Sequence, residues 1–133
     1  VGYWGRRARR VAAMEKAYAP YSAYPVGASA LVDDGRIVSG CNVENAGYGV
    51  TLCAECGMVS DLIRSGGGTL VAVVAVNGNE EPVAPCGRCR QLLSEHAADG
   101  MVLAMPSGMM SIDEVLPDRF CADDVERVVG PQS

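Results

Sequence analysis

Two C-x-x-C pairs constrain this chain more than any other feature. Cys53 and Cys56 form the first pair and Cys86 and Cys89 the second, which together account for four of the six cysteines. The segment between the pairs is long enough for a helix and a strand, well beyond the roughly 15 to 20 residues of a compact zinc module. If the pairs bind one ion, that ion joins elements of an already folded core.

The pairs admit two kinds of zinc site. Four thiolates close a tetrahedral shell and make a structural site, whereas three thiolates leave one position for water and make a catalytic site. Spacing alone leaves Cys56 undecided between the two. Glu55 lies inside the first pair, and a carboxylate beside thiolates and zinc is unfavourable unless it holds or shuttles a proton. This residue favours the catalytic interpretation, with Glu55 as the acid and base.

Both pairs are predicted to lie where helices begin. Residues 52–64 carry apolar side chains at helical spacing, and Pro85 suits the first turn of a second helix. Unpaired N–H groups and the positive end of the helix dipole favour thiolate over thiol at such positions. Cys86 and Cys89, three apart on a helix, project from nearly the same face and can bind one ion together.

The rest of the chain alternates between helical and strand-like segments. Hydropathy and turn residues predict a helix over 4–18, a hairpin of 26–32 and 36–41 around Asp33-Asp34-Gly35, a functional loop over 42–51, strands over 70–76 and 101–105, and a short final helix over 112–116. The order α-ββ-α-β-α-β-α indicates an α/β protein with three layers and a mixed sheet. At 133 residues and 49% hydrophobic content, we expect residues 1–133 to form a single domain.

Charge argues against a nucleic-acid partner. Five of the eleven basic residues precede residue 18, and the remainder of the chain carries six basic and fifteen acidic residues, a balance of −9. Such a body repels phosphates. We interpret the early Arg6, Arg7, Arg9 and Arg10 as a solvated helix face. No run approaches the roughly 18 apolar residues of a membrane span, so we expect a soluble, cytoplasmic protein without a membrane partner.

The remaining cysteines and the histidine carry less information. Cys41 and Cys121 are expected to pack as small apolar residues. His96 is the only histidine and lies late in the second predicted helix, too far from its start to bind the same metal.

Several ordered motifs together resemble a known family. Cys53-Ala54-Glu55 followed by the segment 85–89 (PCGRC) is similar to the zinc nucleobase deaminase signature, with Cys53 in place of its histidine. The segments 20–28 (PYSAYPVGA), 40–49 (GCNVENAGYG) and 85–91 (PCGRCRQ), and Leu116-Pro117 before Phe120, resemble the small cytidine deaminases. The resemblance covers roughly residues 15–121 and implies their three-layer α-β-α fold with a mixed five-stranded sheet.

The resemblance implies an activity and a cofactor. The activity is hydrolytic deamination of cytidine or 2′-deoxycytidine to the uridine, a reaction of pyrimidine salvage. One Zn²⁺ per subunit, held by Cys53, Cys86 and Cys89, would activate water for attack at C4 of the ring. Glu55 would protonate N3 and then carry a proton to the leaving amine.

The resemblance also implies a set of substrate contacts. Asn42 and Glu44 match positions that bind the ribose hydroxyls, and the backbone of Ala54 matches a contact to the base edge. Tyr24 matches a position where the family usually has a Phe that stacks near the nucleoside. The remaining matched positions contact the nucleoside from neighbouring subunits, and they are Ala46, Tyr48 and Phe120. The family arrangement is a homotetramer with active sites built across subunits.

Cys56 is the clearest departure from the family pattern. Many members with three cysteine ligands carry Arg directly after the catalytic Glu, where it offsets the negative charge of the site. Three thiolates and one Zn²⁺ sum to −1, which weakens the activation of water. We hypothesise that Cys56 is a neutral thiol outside the metal shell, and that the helix dipoles and Arg88 or Arg90, donating to sulfur, compensate.

Three alternatives remain open. A structural zinc protein with a closed four-thiolate shell would bind partners and need no Glu55. A deaminase of aminonucleoside antibiotics shares C-A-E and PCGRCRQ, but the ribose-binding Glu of Asn42-Val43-Glu44-Asn45 suits an ordinary nucleoside. A polynucleotide cytosine editor fits poorly with the acidic body and the lack of an aromatic, basic groove.

Overall fold

The computed structural model describes residues 2–130, with side chains from residue 9 onward. Its centre is a five-stranded sheet in the order β2-β1-β3-β4-β5. The strands are β1 (Gly27–Val32), β2 (Ile37–Cys41), β3 (Leu70–Val76), β4 (Ala97–Met105) and β5 (Gly108–Ser111). β3 and β4 are parallel and the other neighbours are antiparallel. The predicted mixed five-stranded sheet is therefore confirmed.

Helices cover both faces of this sheet. They are α1 (Gly2–Glu15), α2 (Ala54–Arg64), α3 (Gly87–Glu95), α4 (Ile112–Val115) and α5 (Ala122–Val129). A Cβ on Gly27 of β1 would strike the backbone of Arg10 and Met14 in α1, whereas a Cβ on Gly40 of β2 would strike the backbone of Ala54 in α2. Gly27 pairs with Cys41, the neighbour of Gly40, so these two glycines face opposite sides because successive residues of a strand alternate. The three-layer prediction is confirmed.

The main core lies between the sheet and the layer that contains α2. Met58 and Leu62 of α2 are fully buried, as are Leu70 of β3, Leu93 of α3 and Met101 of β4. This packing holds the starts of α2 and α3 against the same side of the sheet. The two C-x-x-C pairs are therefore carried by rigid elements.

Two elements of the fold, β5 and α5, were not predicted from the sequence. β5 follows the predicted strand through a tight turn, and α5 shows that the helix over 112–116 is not the last one. β5 has four residues and no β-branched side chain, so only its pairing with β4 identifies it as a strand. Cys121 immediately precedes α5 as its N-cap, and its amide donates to Asp124 Oδ2 at 2.8 Å. Cys121 is exposed, so the expectation that it packs inside is wrong.

The N-terminal basic cluster is only partly described. The side chains of Arg6 and Arg7 lie outside the described residues. Arg9 is exposed, but Arg10 is buried at 8% exposure, so the cluster is not wholly a solvated face. Within residues 2–130, none of the helices combines the length and the apolar character needed to cross a membrane.

Candidate metal centre and active site

Three cysteine sulfurs converge where α2 and α3 begin. Cys53 immediately precedes α2, Cys86 immediately precedes α3, and Cys89 lies in the first turn of α3. Their Sγ atoms all lie within 4.8 Å of one another, and Cys89 is buried while Cys86 is exposed. Three soft sulfur ligands at this spacing suit zinc and leave one coordination position open, as in catalytic sites. The donor set therefore fits the expected cofactor.

Cys56 stands apart from this cluster. It lies in the first turn of α2, where its amide donates to the carbonyl of Cys53 at 3.0 Å, and its side chain is half-buried. The sulfurs that lie within 4.8 Å of one another are those of Cys53, Cys86 and Cys89, and Cys56 is not among them. A symmetrical four-sulfur shell is not what the described residues form.

The three clustered thiols differ in acidity. Burial raises the pKa of Cys53 and of Cys89, and the nearby Glu55 carboxylate raises both further. Partial burial also acts on Cys86, but hydrogen bonds from the amide and side chain of Cys89 and from the amide of Arg88 outweigh it and lower the pKa of Cys86. The start of α3 thus stabilises one thiolate, whereas the other two sulfurs need a cation to lose their protons.

Glu55 is the buried carboxyl of the site. It occupies the first turn of α2 and is only 5% exposed. Burial raises the pKa of this carboxyl above its ordinary value, because removal from water disfavours the charged form. A carboxyl with a raised pKa beside three clustered cysteine sulfurs suits a group that both gives and takes a proton.

Arg88 and Arg90 donate to backbone carbonyls, whereas the expected acceptors were the cysteine sulfurs. Arg90 is half-buried, and it donates from Nε to the carbonyl of Pro85 and from Nη1 to the carbonyl of Val115, both at 2.9 Å. Arg88 is exposed and reaches the carbonyl of Thr51 at 3.5 Å. Both guanidinium groups therefore hold backbone next to the cysteines, Pro85 before Cys86 and Thr51 before Cys53, and the bonds they make run to carbonyls instead of sulfur.

Asn42 and Glu44 follow β2 and hold the segment 20–26. Asn42 accepts from the amide of Val26 at 2.9 Å and donates to the carbonyl of Tyr24 at 3.0 Å. Glu44 Oε1 accepts from the amides of Tyr21 and Ser22 at 2.9 and 3.1 Å, and Oε2 accepts from the Ser22 hydroxyl. Ser22 and Tyr21 are functional candidates that the sequence reading missed. The serine within the proline-flanked segment 20–25 was the available signal.

Glu44 faces an open cavity of ≈ 220 Å³. Its lining residues are Tyr21, Ser22, Glu44, Tyr48 and Thr51. The rings of Tyr21 and Tyr48 meet edge to face with centroids 6.4 Å apart, and Tyr48 is 77% exposed. One wall of this cavity therefore consists of an aromatic side chain that is free to contact another molecule.

The other expected substrate residues are dispersed. Ala54 is buried in the first turn of α2, next to Glu55. Tyr24 is half-exposed, and its hydroxyl accepts from Asn77 Nδ2 at 3.1 Å, a contact that a phenylalanine could not make. Ala46 is exposed in the loop after β2. Phe120 lies over the later turns of α3, where its carbonyl accepts from Gln91 Nε2 at 2.8 Å and its side chain is 62% exposed. Phe120 and Tyr48 line different cavities.

Known proteins are similar to this chain in sequence. Residues 4–105 match the cytidine and deoxycytidylate deaminase zinc-binding region. A cytidine deaminase of Mycobacterium tuberculosis (strain CDC 1551 / Oshkosh) is 51% identical over 111 residues, covering 84% of each chain, and one of Sporosarcina psychrophila is 38% identical over 118 residues, covering 85% of this chain and 87% of its own.

Solved structures agree. The crystal structure of cytidine deaminase from Mycobacterium leprae superposes with a TM-score of 0.85 at 48% identity, covering 89% of this chain and 99% of its own. That of the Burkholderia pseudomallei cytidine deaminase gives 0.79 at 35% identity, covering 90% and 100%. The agreement extends over nearly the whole length of both proteins. The chain belongs to the zinc-dependent cytidine and deoxycytidylate deaminase family.

Proposed function

We propose that the protein catalyses the hydrolytic deamination of cytidine and 2′-deoxycytidine to uridine and 2′-deoxyuridine, with release of ammonia. The observation that carries this proposal is the buried Glu55 beside three clustered cysteine sulfurs at the starts of two helices. Two relatives that are 51% and 38% identical to this chain are cytidine deaminases, which supports the choice of substrate. The nucleosides that this reaction consumes suit a role in pyrimidine salvage.

Cys53, Cys86 and Cys89 would hold the zinc ion. When bound by these sulfurs, zinc supplies Lewis-acid activation of a water molecule at neutral pH. The chain's contribution is to orient the sulfurs from two helix starts and to keep Cys56 outside the cluster. Arg90 joins the backbone before Cys86 to the end of α4, so it holds the ligand-bearing segment without contacting the metal.

Glu55 would move the protons. It accepts one proton from the attacking water and delivers it to N3 of the cytosine ring as the water oxygen adds at C4. It then takes a second proton from the hydroxyl now on C4 and carries it to the exocyclic amine. The C4–N bond breaks, the C4 oxygen becomes the carbonyl of uridine, and ammonia leaves. The raised pKa of Glu55 suits a group that must be base and acid in turn, since proton transfer is most efficient when the pKa is near the working pH.

The residues after β2 would bind the sugar. Glu44 and Asn42 follow one another along the loop that leads to Cys53, and an acidic and an amide side chain suit a diol because they offer acceptors and a donor. The backbone of Ala54 would hydrogen-bond the edge of the base beside Glu55. Tyr24 would pack near the nucleoside, with its ring fixed through Asn77.

Neighbouring subunits would complete each site in a homotetramer. Tyr48, Val50 and Leu52, which lie between Glu44 and Cys53 along the chain, are each 48 to 77% exposed, and Phe120 is also exposed, at 62%. Exposed apolar side chains of this size suit contacts with other subunits. Phe120 lines a cavity away from Glu44 in its own chain, so it would reach the nucleoside of another subunit, as would Ala46 and Tyr48. The six free thiols suit a reducing compartment such as the cytoplasm.

Ultraviolet-monitored deamination of cytidine tests the activity, with deoxycytidine, blasticidin S and cytosine as competitors. We expect turnover of cytidine, competition by deoxycytidine and little by the other two. Glu55→Gln should retain zinc and lose nearly all turnover. Full turnover by that variant, or no turnover by the zinc-loaded wild type, would contradict the proposal, and preferred turnover of blasticidin S would favour an antibiotic deaminase.

Mixing two inactive variants tests the shared site. Glu55→Gln removes the group that one chain gives to its own site, and Phe120→Ala removes the group that a chain gives to its neighbour's site. Some sites in a co-refolded mixture should therefore combine an intact Glu55 from one variant with an intact Phe120 from the other, and the mixture should regain activity. Each variant refolded alone provides the control. A mixture no more active than its components, or a monomeric mass by analytical ultracentrifugation, would rule out sites shared between subunits.

A further inference from the structure

The Ser22 side chain links the two sugar-binding residues proposed above. Its hydroxyl donates to Glu44 Oε2 and accepts from the amide of Tyr24 at 3.0 Å. The carbonyl of Tyr24 in turn accepts from Asn42 Nδ2 at 3.0 Å. We propose that Ser22 is a positioning residue that presets Glu44 to accept one hydroxyl of the nucleoside sugar through Oε2, and this inference rests on the proposed function.

The hydrogen bonds of Glu44 leave one acceptor position in a defined place. A carboxylate oxygen offers two lone pairs. Oε1 uses both, for the amides of Tyr21 and Ser22, whereas Oε2 uses one, for the Ser22 hydroxyl. Among the bonds that the described residues make, the remaining lone pair on Oε2 is left for a ligand. Glu44 and Ser22 both line the open cavity of ≈ 220 Å³.

The turn that carries Ser22 is held in a costly conformation. Ala23, the residue after Ser22, has a φ of 56°, in the left-handed region that non-glycine residues seldom occupy. The amide of Ala23 donates to the carbonyl of Ala19 at 3.0 Å, which closes the turn. Such strain persists only where surrounding bonds enforce it, and it concentrates at sites that bind ligands.

The electrostatics agree with this geometry. The hydrogen bond from the Ser22 side chain, followed by those from the two amides, lowers the pKa of Glu44. The carboxyl therefore stays ionised and acts only as an acceptor. Glu44 is otherwise a flexible side chain in a half-exposed loop, and fixing its rotamer before the nucleoside arrives removes an entropy cost from binding.

Steady-state kinetics of four variants on two substrates test the role of Ser22. The variants are Ser22→Ala, Ser22→Thr, Glu44→Gln and the double variant Ser22→Ala with Glu44→Gln. Cytidine carries the 2′- and 3′-hydroxyls of the sugar, and 2′,3′-dideoxycytidine lacks both of them while it keeps the 5′-hydroxyl. Ser107→Ala, which changes an exposed serine in the turn between β4 and β5, is the matched control.

We expect Ser22→Ala to raise the KM for cytidine about tenfold and to change kcat less than about twofold. The variant loses one hydrogen bond to a charged group, and Glu44 binds the sugar equally in the ground state and the transition state, so the loss affects KM and not kcat. For dideoxycytidine the same variant should change kcat/KM less than about threefold, because the 2′- and 3′-hydroxyls that could donate to Oε2 are absent. Ser22→Thr retains the hydroxyl and should restore most of the affinity. The double variant should be no worse than Glu44→Gln alone.

Other outcomes distinguish a positioning role of Ser22 from a purely structural one, and failure of this inference from failure of the proposed function. Equal losses on both substrates, or losses that add in the double variant, would mean that Ser22 only stabilises the loop and would overturn the inference. If Glu44→Gln weakens cytidine binding and Ser22→Ala does not, the inference fails while the proposed function stands. If the zinc-loaded wild type does not deaminate cytidine, the proposed function fails first.

Discussion

Gly40 of β2 and Gly57 of α2 face each other across the contact between sheet and helix, but only Gly40 must lack a side chain. A Cβ on Gly40 would overlap the backbone of Ala54, Gly57 and Met58, whereas a Cβ on Gly57 would lie 3.5 Å from the Cα of Gly40, in ordinary contact. The sheet can therefore approach the start of α2 only because residue 40 has no side chain.

This asymmetry predicts opposite effects of two alanine substitutions. Gly40→Ala should destabilise the protein by about 3 kcal/mol, since backbone cannot move aside as a flexible side chain can. Gly57→Ala should be neutral or stabilise by about 0.5 to 1 kcal/mol, because alanine is preferred over glycine inside a helix. Urea unfolding at saturating zinc measures both. Equal effects would show that the contact between α2 and β2 does not depend on Gly40.

If Gly40→Ala pushes α2 away from the sheet, the cysteine cluster should also be disturbed. Cys53 immediately precedes α2 and Glu55 lies in its first turn, so Gly40→Ala should reduce zinc content more than Gly57→Ala does. Zinc per chain after dialysis against a weak chelator measures this. Retention of a full zinc complement by a destabilised Gly40→Ala protein would show that the cysteine cluster is insensitive to the position of α2.

Glu55 should lower the stability of the folded protein at neutral pH. Its pKa is raised above the ordinary value of 4.5 by burial, so the unfolded chain ionises it more easily than the folded one. The resulting loss of stability is absent below pH 4.5 and grows as the pH rises towards the folded pKa. Glu55→Gln should therefore raise Tm by about 2 to 5 °C at pH 7.5, and by little at pH 4.5.

Thermal scans of both proteins in the metal-free form check this difference, because a zinc cation beside the carboxylate would favour its ionised form. The comparison at each pH removes the pH dependence of the other groups, because the two proteins share them. A gain in Tm that is the same at both pH values would point to packing as the cause. A loss at pH 7.5 would mean that the ionised Glu55 is stabilised in the fold.

The candidate site illustrates what local sequence can and cannot predict. The spacing of the two C-x-x-C pairs and their predicted places at helix starts indicated a metal site. They left Cys56 undecided, and only the resemblance to a known family favoured Cys53, Cys86 and Cys89 as the ligands. The bond between Ser22 and Glu44 joins residues 22 apart through the fold, and no local pattern reports it. The partners of Arg90 were not predictable for the same reason, since Val115 lies 25 residues away.

The missed elements have a similar explanation. β5 is a strand because Met109 and Met110 pair with Ala104 and Leu103, and its own residues have little strand preference. By contrast, β1 and β2 are joined by Asp33-Asp34-Gly35, with Gly35 at a φ of 92°, a conformation that glycine adopts readily. Local turn chemistry was sufficient for that hairpin, whereas tertiary pairing decides β5.

Cys56 provides a test of the number of zinc ligands. Because it lies outside the group of sulfurs within 4.8 Å of one another, Cys56→Ala should still bind one zinc ion per chain. Cys89→Ala removes a clustered, buried sulfur and should bind zinc at least about a hundredfold more weakly, given how much of the binding energy each ligand carries. Metal analysis after dialysis measures occupancy, and zinc X-ray absorption should find three sulfurs in the wild type. Four sulfurs would instead support the closed structural shell.

Arg90 should influence the affinity for zinc without contacting the ion. Its two bonds of 2.9 Å to the carbonyls of Pro85 and Val115 fix the segment before Cys86 against the end of α4. Arg90→Met removes both bonds, and we expect zinc affinity to fall about tenfold to a hundredfold, as for other supports of metal ligands. Arg90→Lys should not restore it, because an ammonium group lacks the planar fork that reaches two acceptors.

Arg64→Met is the matched control for Arg90. Arg64 is exposed at the end of α2 and pairs with Asp61 at 2.6 Å on the same helix, a surface contact worth little. Competition with a chelating dye should leave its zinc affinity within about twofold of the wild type. If Arg90→Met behaves like Arg64→Met, the clamp between Pro85 and Val115 is not what holds the ligand segment.

Zinc binding should release at least two protons per chain at pH 7.5. Burial, followed by nearby negative groups, raises the pKa of both Cys53 and Cys89, so both sulfurs are protonated in the metal-free protein and must lose those protons to bind zinc. Cys86 contributes less, because amide hydrogen bonds lower its pKa. Zinc affinity should then rise with pH, by about tenfold per pH unit for each proton released.

Calorimetry in buffers of different ionisation enthalpy counts these protons. Phosphate and Tris at pH 7.5 give apparent enthalpies that differ by the number of protons transferred, and repeating the titration at pH 6.5 should show weaker binding by a factor of about a hundred or more. Cys89→Ala should release one proton fewer. Release of fewer than two protons by the wild type would mean that the start of each helix already stabilises its thiolates without the metal, contrary to the effect of burial on Cys53 and Cys89.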